Sequence, residues 1–153
     1  MPIIVIETEI FASPETCFDM ARDITLHCKT AGHTREKAVD GVVSGMFGWG
    51  ESVTFEGVHF GVKQHFTARV MEFERPNFFV DEMTQGVFKM MRHRHEFIKR
   101  DDSTLMRDII EWRAPLGVLG ALADALFLKR YMKKFIARRG AILKQVAETQ
   151  SLA

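Results

Sequence analysis

Residues 86–112 alternate between two kinds of side chain over two runs separated by a polar turn at 99–103. Successive side chains of a β-strand point to opposite faces, so this pattern predicts a long antiparallel hairpin. One of its faces is apolar, yet it carries two imidazoles and a carboxylate. The residues on that face are Met91, His93, His95 and Phe97 in the first run and Met106, Asp108, Ile110 and Trp112 in the second.

The chain before this hairpin predicts one strand, two short helices and four further strands. A β-rich segment at 3–11 leads into Ser13-Pro14-Glu15, which is typical of a helix start and predicts a helix at 16–22. A second short helix is predicted at 26–31, ended by Gly32. From Glu36 onward the side-chain pattern repeats every two residues, which is typical of β-strands. Glycines and Arg75-Pro76 divide that region into β segments at 37–43, 51–56, 60–74 and 77–83.

A helical pattern of apolar residues fills 117–148, after Ala114-Pro115-Leu116 breaks the last strand. A helix of that length crosses a whole sheet, because each residue adds ~1.5 Å. The order of elements therefore predicts one α+β domain, residues 1–153, with the helix-grip fold. In this fold a curved antiparallel sheet of six to seven strands wraps around the C-terminal helix and leaves a hollow between them.

Charge and composition narrow the class of protein. The 21 basic and 20 acidic side chains nearly cancel, so no overall field favours nucleic acid as a partner. Cys17 and Cys28 lack metal-type spacing and predict a reduced, cytoplasmic protein without a metal or cofactor. The sequence offers no run of eighteen apolar residues and no basic start before its first apolar run, so neither a membrane span nor an export signal is expected. A monomer or a homodimer fits these totals equally well.

The predicted last helix is the one strongly charged element. It carries seven basic residues against two acidic ones. The helix macrodipole and simple solvation account for such a surface. The alternative is a contact with phosphate, a membrane surface or a protein partner.

Six segments of the chain resemble the SRPBCC or START-like superfamily, in the branch of single-domain bacterial proteins described as polyketide cyclase/dehydrase-like or ligand-binding. They are GESVTF at 50–55, HFGVKQ at 59–64, ERPNFFVDEM at 74–83, GVFKMMRHRHEF at 86–97, STLMRDII at 103–110 and PLGVLGALAD at 115–124. Where relatives often have GPF followed by Trp, this chain has Gly86-Val87-Phe88 and Met91. The resemblance implies a container for a hydrophobic small molecule, such as a lipid, a quinone or a polyketide-like compound.

Twelve residues are expected to contact that molecule. The resemblance implies a first set, which consists of Glu51, Phe55, His59, Gln64, His93, His95 and Asp108. Methionine and phenylalanine form soft, adaptable apolar surfaces, and the chain holds nine Met and thirteen Phe. The hairpin face and the last helix therefore add Met91, Phe97, Met106, Leu122 and Leu126.

His93, His95 and Asp108 allow three interpretations. They can form a buried hydrogen-bonded cluster, in which Asp108 fixes the tautomer of an imidazole. They can also form a two-histidine, one-carboxylate metal site, although this spacing is common by chance and we predict no metal. In the third interpretation one histidine is a general base oriented by Asp108, which gives the alternative function of a cyclase, dehydratase or hydrolase.

The glycine-rich segment GMFGWG at 45–50 lacks the lysine of a phosphate-binding loop. It predicts either a mobile loop at the mouth of the cavity or a hairpin loop with two buried aromatic residues.

Overall fold

The computed structural model describes residues 1–31 and 34–151, and its centre is one antiparallel sheet of seven strands. The sheet has the order β1-β7-β6-β5-β4-β3-β2, so every pair except β1 and β7 joins neighbours in the sequence. The strands are β1 Ile3–Ile10, β2 Lys37–Gly41, β3 Ser52–His59, β4 Val62–Glu74, β5 Phe78–Gln85, β6 Met90–Lys99 and β7 Thr104–Arg113.

Two short helices, α1 (Pro14–Ala21) and α2 (Ile24–Thr30), follow β1, and a long helical segment follows β7. These elements confirm the predicted α+β helix-grip fold. As predicted, Ser13 caps α1, because its hydroxyl accepts a hydrogen bond from the Thr16 amide at 3.2 Å. The predicted end of the second helix, Gly32, lies outside the described residues.

The long C-terminal segment is three elements in succession and not the single regular helix that the sequence predicts. Helix α3 (Gly117–Ala123) passes into one π-helical turn at Asp124–Leu128, and α4 (Lys129–Ser151) continues from there. In the π turn the Lys129 amide donates to the Asp124 carbonyl, five residues earlier instead of four. None of the helices in the described ranges is long and apolar enough to cross a membrane.

Two hydrophobic clusters fill the space on either side of a hollow. The larger one centres on Phe18, which contacts the rings of Phe73, Phe79 and Phe97 edge-on at centroid distances of 5.2, 5.2 and 5.4 Å. The smaller one consists of Ile4, Ile110, Trp112 and Ile136 with their neighbours. Side chains of both clusters also line the hollow, so the cavity and the core share their walls.

Helix α4 crosses strand β1 at close range. A Cβ atom added at Gly140 would lie 2.7 Å from the Thr8 hydroxyl, closer than side-chain atoms approach one another. The absence of a side chain at Gly140 therefore sets the distance between helix and sheet at this end of the domain.

A hydrogen bond between two buried side chains ties the π turn to the sheet. The indole Nε1 of Trp112, on β7, donates to Oδ1 of Asp124 at 2.8 Å, and both side chains are buried. Asp124 also belongs to the π turn itself. The bond therefore fixes the helix where its period changes.

Replacement of Asp124 by alanine should leave the buried Trp112 N–H without an acceptor, at a cost of about 1–3 kcal/mol in the free energy of unfolding. Urea denaturation measures this loss. Asp124→Asn keeps an acceptor oxygen and should lose less. Asp102→Ala, in the exposed turn between β6 and β7, is the matched control and should stay within about 0.5 kcal/mol of the wild type. Equal stability of Asp124→Ala and Asp102→Ala would contradict the role of this bond.

Candidate functional site

A cavity of about 400 Å³ lies between the sheet and the C-terminal helical segment. Its walls are mostly aromatic and aliphatic, with side chains from α2, β3, β4, β5, β6, α3 and α4. Six of the twelve predicted contact residues line it, and they are Phe55, His59, Gln64, Met91, His93 and His95. Phe47 of the glycine-rich segment also lines the cavity, whereas Trp49 is 71% exposed, so only one of the two aromatic residues is buried.

The other six predicted contact residues lie elsewhere, each for a structural reason. Phe97 and Met106 sit farther along the hairpin, inside the larger hydrophobic cluster. Glu51 precedes β3 and is exposed, and its carboxylate accepts a hydrogen bond from the Gly48 amide at 2.9 Å. Asp108 is buried but is not part of the cavity wall. The last two, Leu122 and Leu126, are exposed on the outer side of the helix.

Three adjacent strands bring two histidines and two aspartates together at the cavity wall. His95 pairs with Asp108 across β6 and β7, and His93 pairs with Asp81 across β5 and β6. The two hydrogen bonds, however, run diagonally across the sheet. Nε2 of His95 lies 2.7 Å from Oδ2 of Asp81, and Nε2 of His93 lies 2.8 Å from Oδ1 of Asp108. We call these four residues the His–Asp cluster.

His95 is the centre of the cluster. Its Nδ1 lies 3.2 Å from Oδ1 of Asp108, but the two atoms form no hydrogen bond, so the contact is an ion pair alone. The ring is sandwiched between Phe79 at a centroid distance of 4.1 Å and His93 at 3.6 Å, nearly parallel to both. The stack holds both imidazoles in fixed orientations at the cavity wall.

A second set of polar residues lies in the cavity on the side of β2 and β3. Nε2 of His27 is 2.9 Å from Oε1 of Glu36, and the His27 ring stacks on Phe55 at 4.4 Å. On α4, the Tyr131 hydroxyl and Nδ1 of His59 are 2.5 Å apart. The sequence predicts His59 in the cavity but gives no partner for it.

Among the described residues, Arg139 of α4 is the one basic residue of the cavity wall whose charge is permanent. Its side chain is buried, and Nη2 donates to the Ala21 carbonyl at 2.9 Å. Its Nε atom is also buried and has no hydrogen-bond partner among the described residues. This guanidinium N–H is therefore unsatisfied and lies beneath the surface of the cavity wall.

Comparison with known proteins gives similarity in structure alone. No protein-family model matches the sequence, and neither does any curated protein. A protein from Thermus thermophilus superposes with a TM-score of 0.80 at 16% identity, covering 98% of this chain and 99% of that one. A START superfamily protein from Mycobacterium smegmatis gives a TM-score of 0.72 at 16% identity, with coverages of 97% and 98%. The chain has a START-like fold.

A plant protein also has a similar structure. Major latex-like protein 151 from Panax ginseng superposes with a TM-score of 0.70 at 9% identity, covering 95% of this chain and 97% of that one. The resemblance to the SRPBCC or START-like superfamily seen in the sequence is therefore confirmed at the level of the fold.

Within this START-like cavity, burial and charge set opposite protonation states for the two stacked histidines. Burial, reinforced by the neighbouring His95 charge, lowers the pKa of His93 to about 4. Burial alone would also lower the pKa of His95, but the carboxylates of Asp108 and Asp81 outweigh it and raise that pKa above its ordinary value. Burial opposes ionisation of the two aspartates, yet their bonds to the histidines hold both carboxyl pKa values below the ordinary range.

The raised pKa favours the imidazolium form of His95 between the two carboxylates, and the lowered pKa keeps the His93 imidazole neutral at pH 7. The neutral ring donates from Nε2 to Asp108, so its Nδ1 atom is an acceptor. No described residue occupies that acceptor. The cavity wall thus offers one free acceptor, at His93, and the unpaired Arg139 N–H lies beneath its surface.

The sequence misses several polar residues of the cavity, chiefly Asp81, Glu36 and Arg139. Asp81 shares a face of β5 with the buried Phe79, so strand alternation could have placed it inward. Arg139 lies three residues after Ile136 and four before Leu143, on the apolar stripe of the helix. The local sequence pattern could therefore have placed both side chains on the inner side. Glu36 is the first residue of the period-two region, just before β2, and carries no such signal.

Asp81, His93 and His95 are grouped closely enough to hold a metal ion, since one ligand atom from each lies within 4.8 Å of the others. The carboxylate of this group is Asp81, in place of the Asp108 suggested by the sequence. In the structure a proton already links His95 to Asp81 at 2.7 Å. A metal would have to displace that proton, and the absence of a metal stays a prediction.

We expect His93 to govern part of the acid sensitivity of the fold. Between pH 6.5, its ordinary pKa, and about 4, its pKa in the folded chain, the unfolded chain binds more protons at this residue. The free energy of unfolding should therefore fall as pH drops through this window. Chemical denaturation at several pH values should show a shallower fall for His93→Gln.

The matched control for this slope is His65→Gln, an exposed histidine of β4, which should keep the wild-type pH dependence. NMR titration of the imidazoles gives a direct reading, with His93 neutral at pH 7 and the pKa of His95 above its ordinary value. Protonation of His93 near its ordinary pKa would contradict the assignment.

Proposed function

We propose that the chain binds a mainly apolar small molecule with an oxygen-containing end, such as a lipid, a quinone or a polyketide-like compound. The observation that carries this proposal is a cavity of about 400 Å³ with apolar walls and a few polar groups at one side. Ligand cavities commonly measure about 300–1,000 Å³ and have this composition. The START-like fold, which is a known ligand-binding fold, supports the same conclusion.

The polar end of the ligand would bind at the wall formed by Arg139 and His93. Arg139 lies close enough to Asp81 and His27 to lower the pKa of both, so its charge acts within the same region as the His–Asp cluster. The free Nδ1 of His93 suits a hydroxyl group. A phenolic or alcoholic hydroxyl satisfies this atom without bringing a further charge into the cavity.

The two free cysteines support a reducing, cytoplasmic setting for this function. Burial raises the pKa of the Cys17 thiol to about 11, so this residue is an inert core side chain at neutral pH.

A second function, acid–base catalysis, is favoured by the pair formed by Asp108 and His93. The aspartate holds the imidazole by one nitrogen and leaves the other as a neutral base at the cavity wall. This is the arrangement that proton abstraction next to a carbonyl group requires. The candidate reactions are the cyclisations and dehydrations of polyketide-like carbonyl compounds.

Filling the cavity from the helix side should abolish ligand binding. Ala123 of α3 lines the cavity, whereas Ala121 on the same helix is exposed and does not. In native mass spectrometry of the chain purified from its own host without added ligand, we expect an apolar molecule of defined mass to accompany the wild type and Ala121→Phe. Ala123→Phe should lose it. Retention of the molecule by Ala123→Phe, or its absence from the wild type, would count against a binding function.

If the chain is an enzyme, His93→Gln should abolish turnover of a polyketide-like carbonyl substrate, with a loss of about 10²–10⁴-fold in kcat. Asp108→Asn should reduce kcat less than His93→Gln, because it changes the orientation of the base and keeps the base itself. In the wild type, kcat/KM should fall below a pH of about 4, where His93 becomes protonated. Turnover that survives in His93→Gln would exclude this mechanism.

A further inference from the structure

The helical segment that covers the cavity has apolar side chains on its outer side as well as its inner side. Between Leu116 and Leu128 the only charged residue is Asp124, and it is buried against Trp112. Helices that are apolar all round are normally buried on every side. Here the outer side is exposed, and Val118 reaches 85% exposure.

These outer residues join an apolar surface that surrounds the mouth of the cavity. Phe60, from the turn between β3 and β4, contacts Phe127 and Tyr131 at ring centroid distances of 5.9 and 4.5 Å. Several members of this surface are exposed and also line the cavity, so the cavity reaches the outside between them. We call this surface the apolar rim, and its principal members are Phe60, Leu116, Val118, Leu119, Leu122 and Leu126.

A group of cations follows the apolar rim directly along the chain. Residues 114–147 contain one acidic residue, the buried Asp124. The exposed basic residues of α4 form no ion pair with any residue in the described part of the chain, and they are Lys129, Arg130, Lys133, Lys134 and Arg138. The chain as a whole is nearly neutral, at +1, yet these five cations concentrate positive charge next to an exposed apolar surface.

We propose that the apolar rim and these five cations dock the protein on an anionic lipid bilayer, with the mouth of the cavity against the membrane. A bilayer interface is complementary to both halves of the surface, because acyl chains accept the apolar side chains and anionic headgroups attract the cations. A second copy of the chain is complementary to the apolar half alone. A symmetric contact through the rim would also bring the two basic segments towards each other.

Docking in this orientation gives an apolar ligand a path between bilayer and cavity that avoids water. This consequence rests on the proposed binding function, but the docking itself does not. The two can therefore be tested separately, since Leu122, Leu126 and the five cations are not part of the cavity wall.

Co-sedimentation of the full chain with vesicles tests the docking. The wild type should bind vesicles of phosphatidylcholine mixed with phosphatidylserine, bind pure phosphatidylcholine weakly, and be released by salt. Lys133→Gln with Lys134→Gln should lower the partition coefficient roughly five-fold for each lysine. Lys99→Gln with Arg100→Gln, at the exposed end of β6 and the first residue after it, is the matched control and should bind as the wild type does.

The apolar half has its own pair of variants. Leu122→Gln with Leu126→Gln should greatly reduce vesicle binding, whereas Ile3→Gln with Val5→Gln, two similarly exposed apolar residues of the edge strand β1, should not.

Failure of the wild type to bind anionic vesicles would overturn the proposal. So would a wild-type dimer in sedimentation that the Leu122 and Leu126 changes dissociate, because the rim would then be a self-association surface. Native mass spectrometry of the same variants should show ligand retention unchanged, which separates loss of docking from loss of ligand binding.

Discussion

The pairing of His95 with the buried Asp108 and the partly buried Asp81 constrains the centre of this protein. Removing one member of such a group leaves an unpaired charge in an apolar interior, which typically costs several kcal/mol. The pairing therefore requires β5, β6 and β7 to keep one register, since a shift by one residue would turn Asp81 or Asp108 to the opposite face. The same requirement fixes His93 at the cavity wall, because the two histidines are stacked on adjacent inward positions of one strand.

Polar contacts at the edges of the cavity explain how a hollow persists in a closely packed domain. Trp112 bonds to Asp124 at one end of the helical segment, Tyr131 meets His59 near the middle, and Arg139 bonds to the Ala21 carbonyl farther along. Each contact has a preferred length and direction. Together they tie the helical segment to the sheet at two points and to α1 at a third.

The sequence predicts the fold well because the fold depends on local periodicity. The alternation in β6 and β7 places the inward residues of the hairpin correctly, and Ser13 marks the start of α1 where predicted. The cavity is harder to predict, because it depends on contacts between distant parts of the chain. Asp81 and Arg139 have locally readable inward positions, but nothing local shows that they lie near His95 and Ala21. Parity alone also fails for Glu51, because β3 begins one residue later.

The π turn at Asp124–Leu128 decides which side chains of the helix face inward. Before the π turn, the residues that line the cavity or its mouth are Leu116, Leu119, Gly120 and Ala123. The next cavity-lining residue is Leu128, five residues later, instead of the usual three or four. One extra residue in that turn rotates everything downstream by roughly 100° relative to an uninterrupted helix. The π turn therefore sets how far α4 is rotated about the helix axis relative to α3. It lets α3 present glycine and alanine to the cavity, and it aligns α4 so that Arg139, and not its neighbour Arg138, is the buried cation.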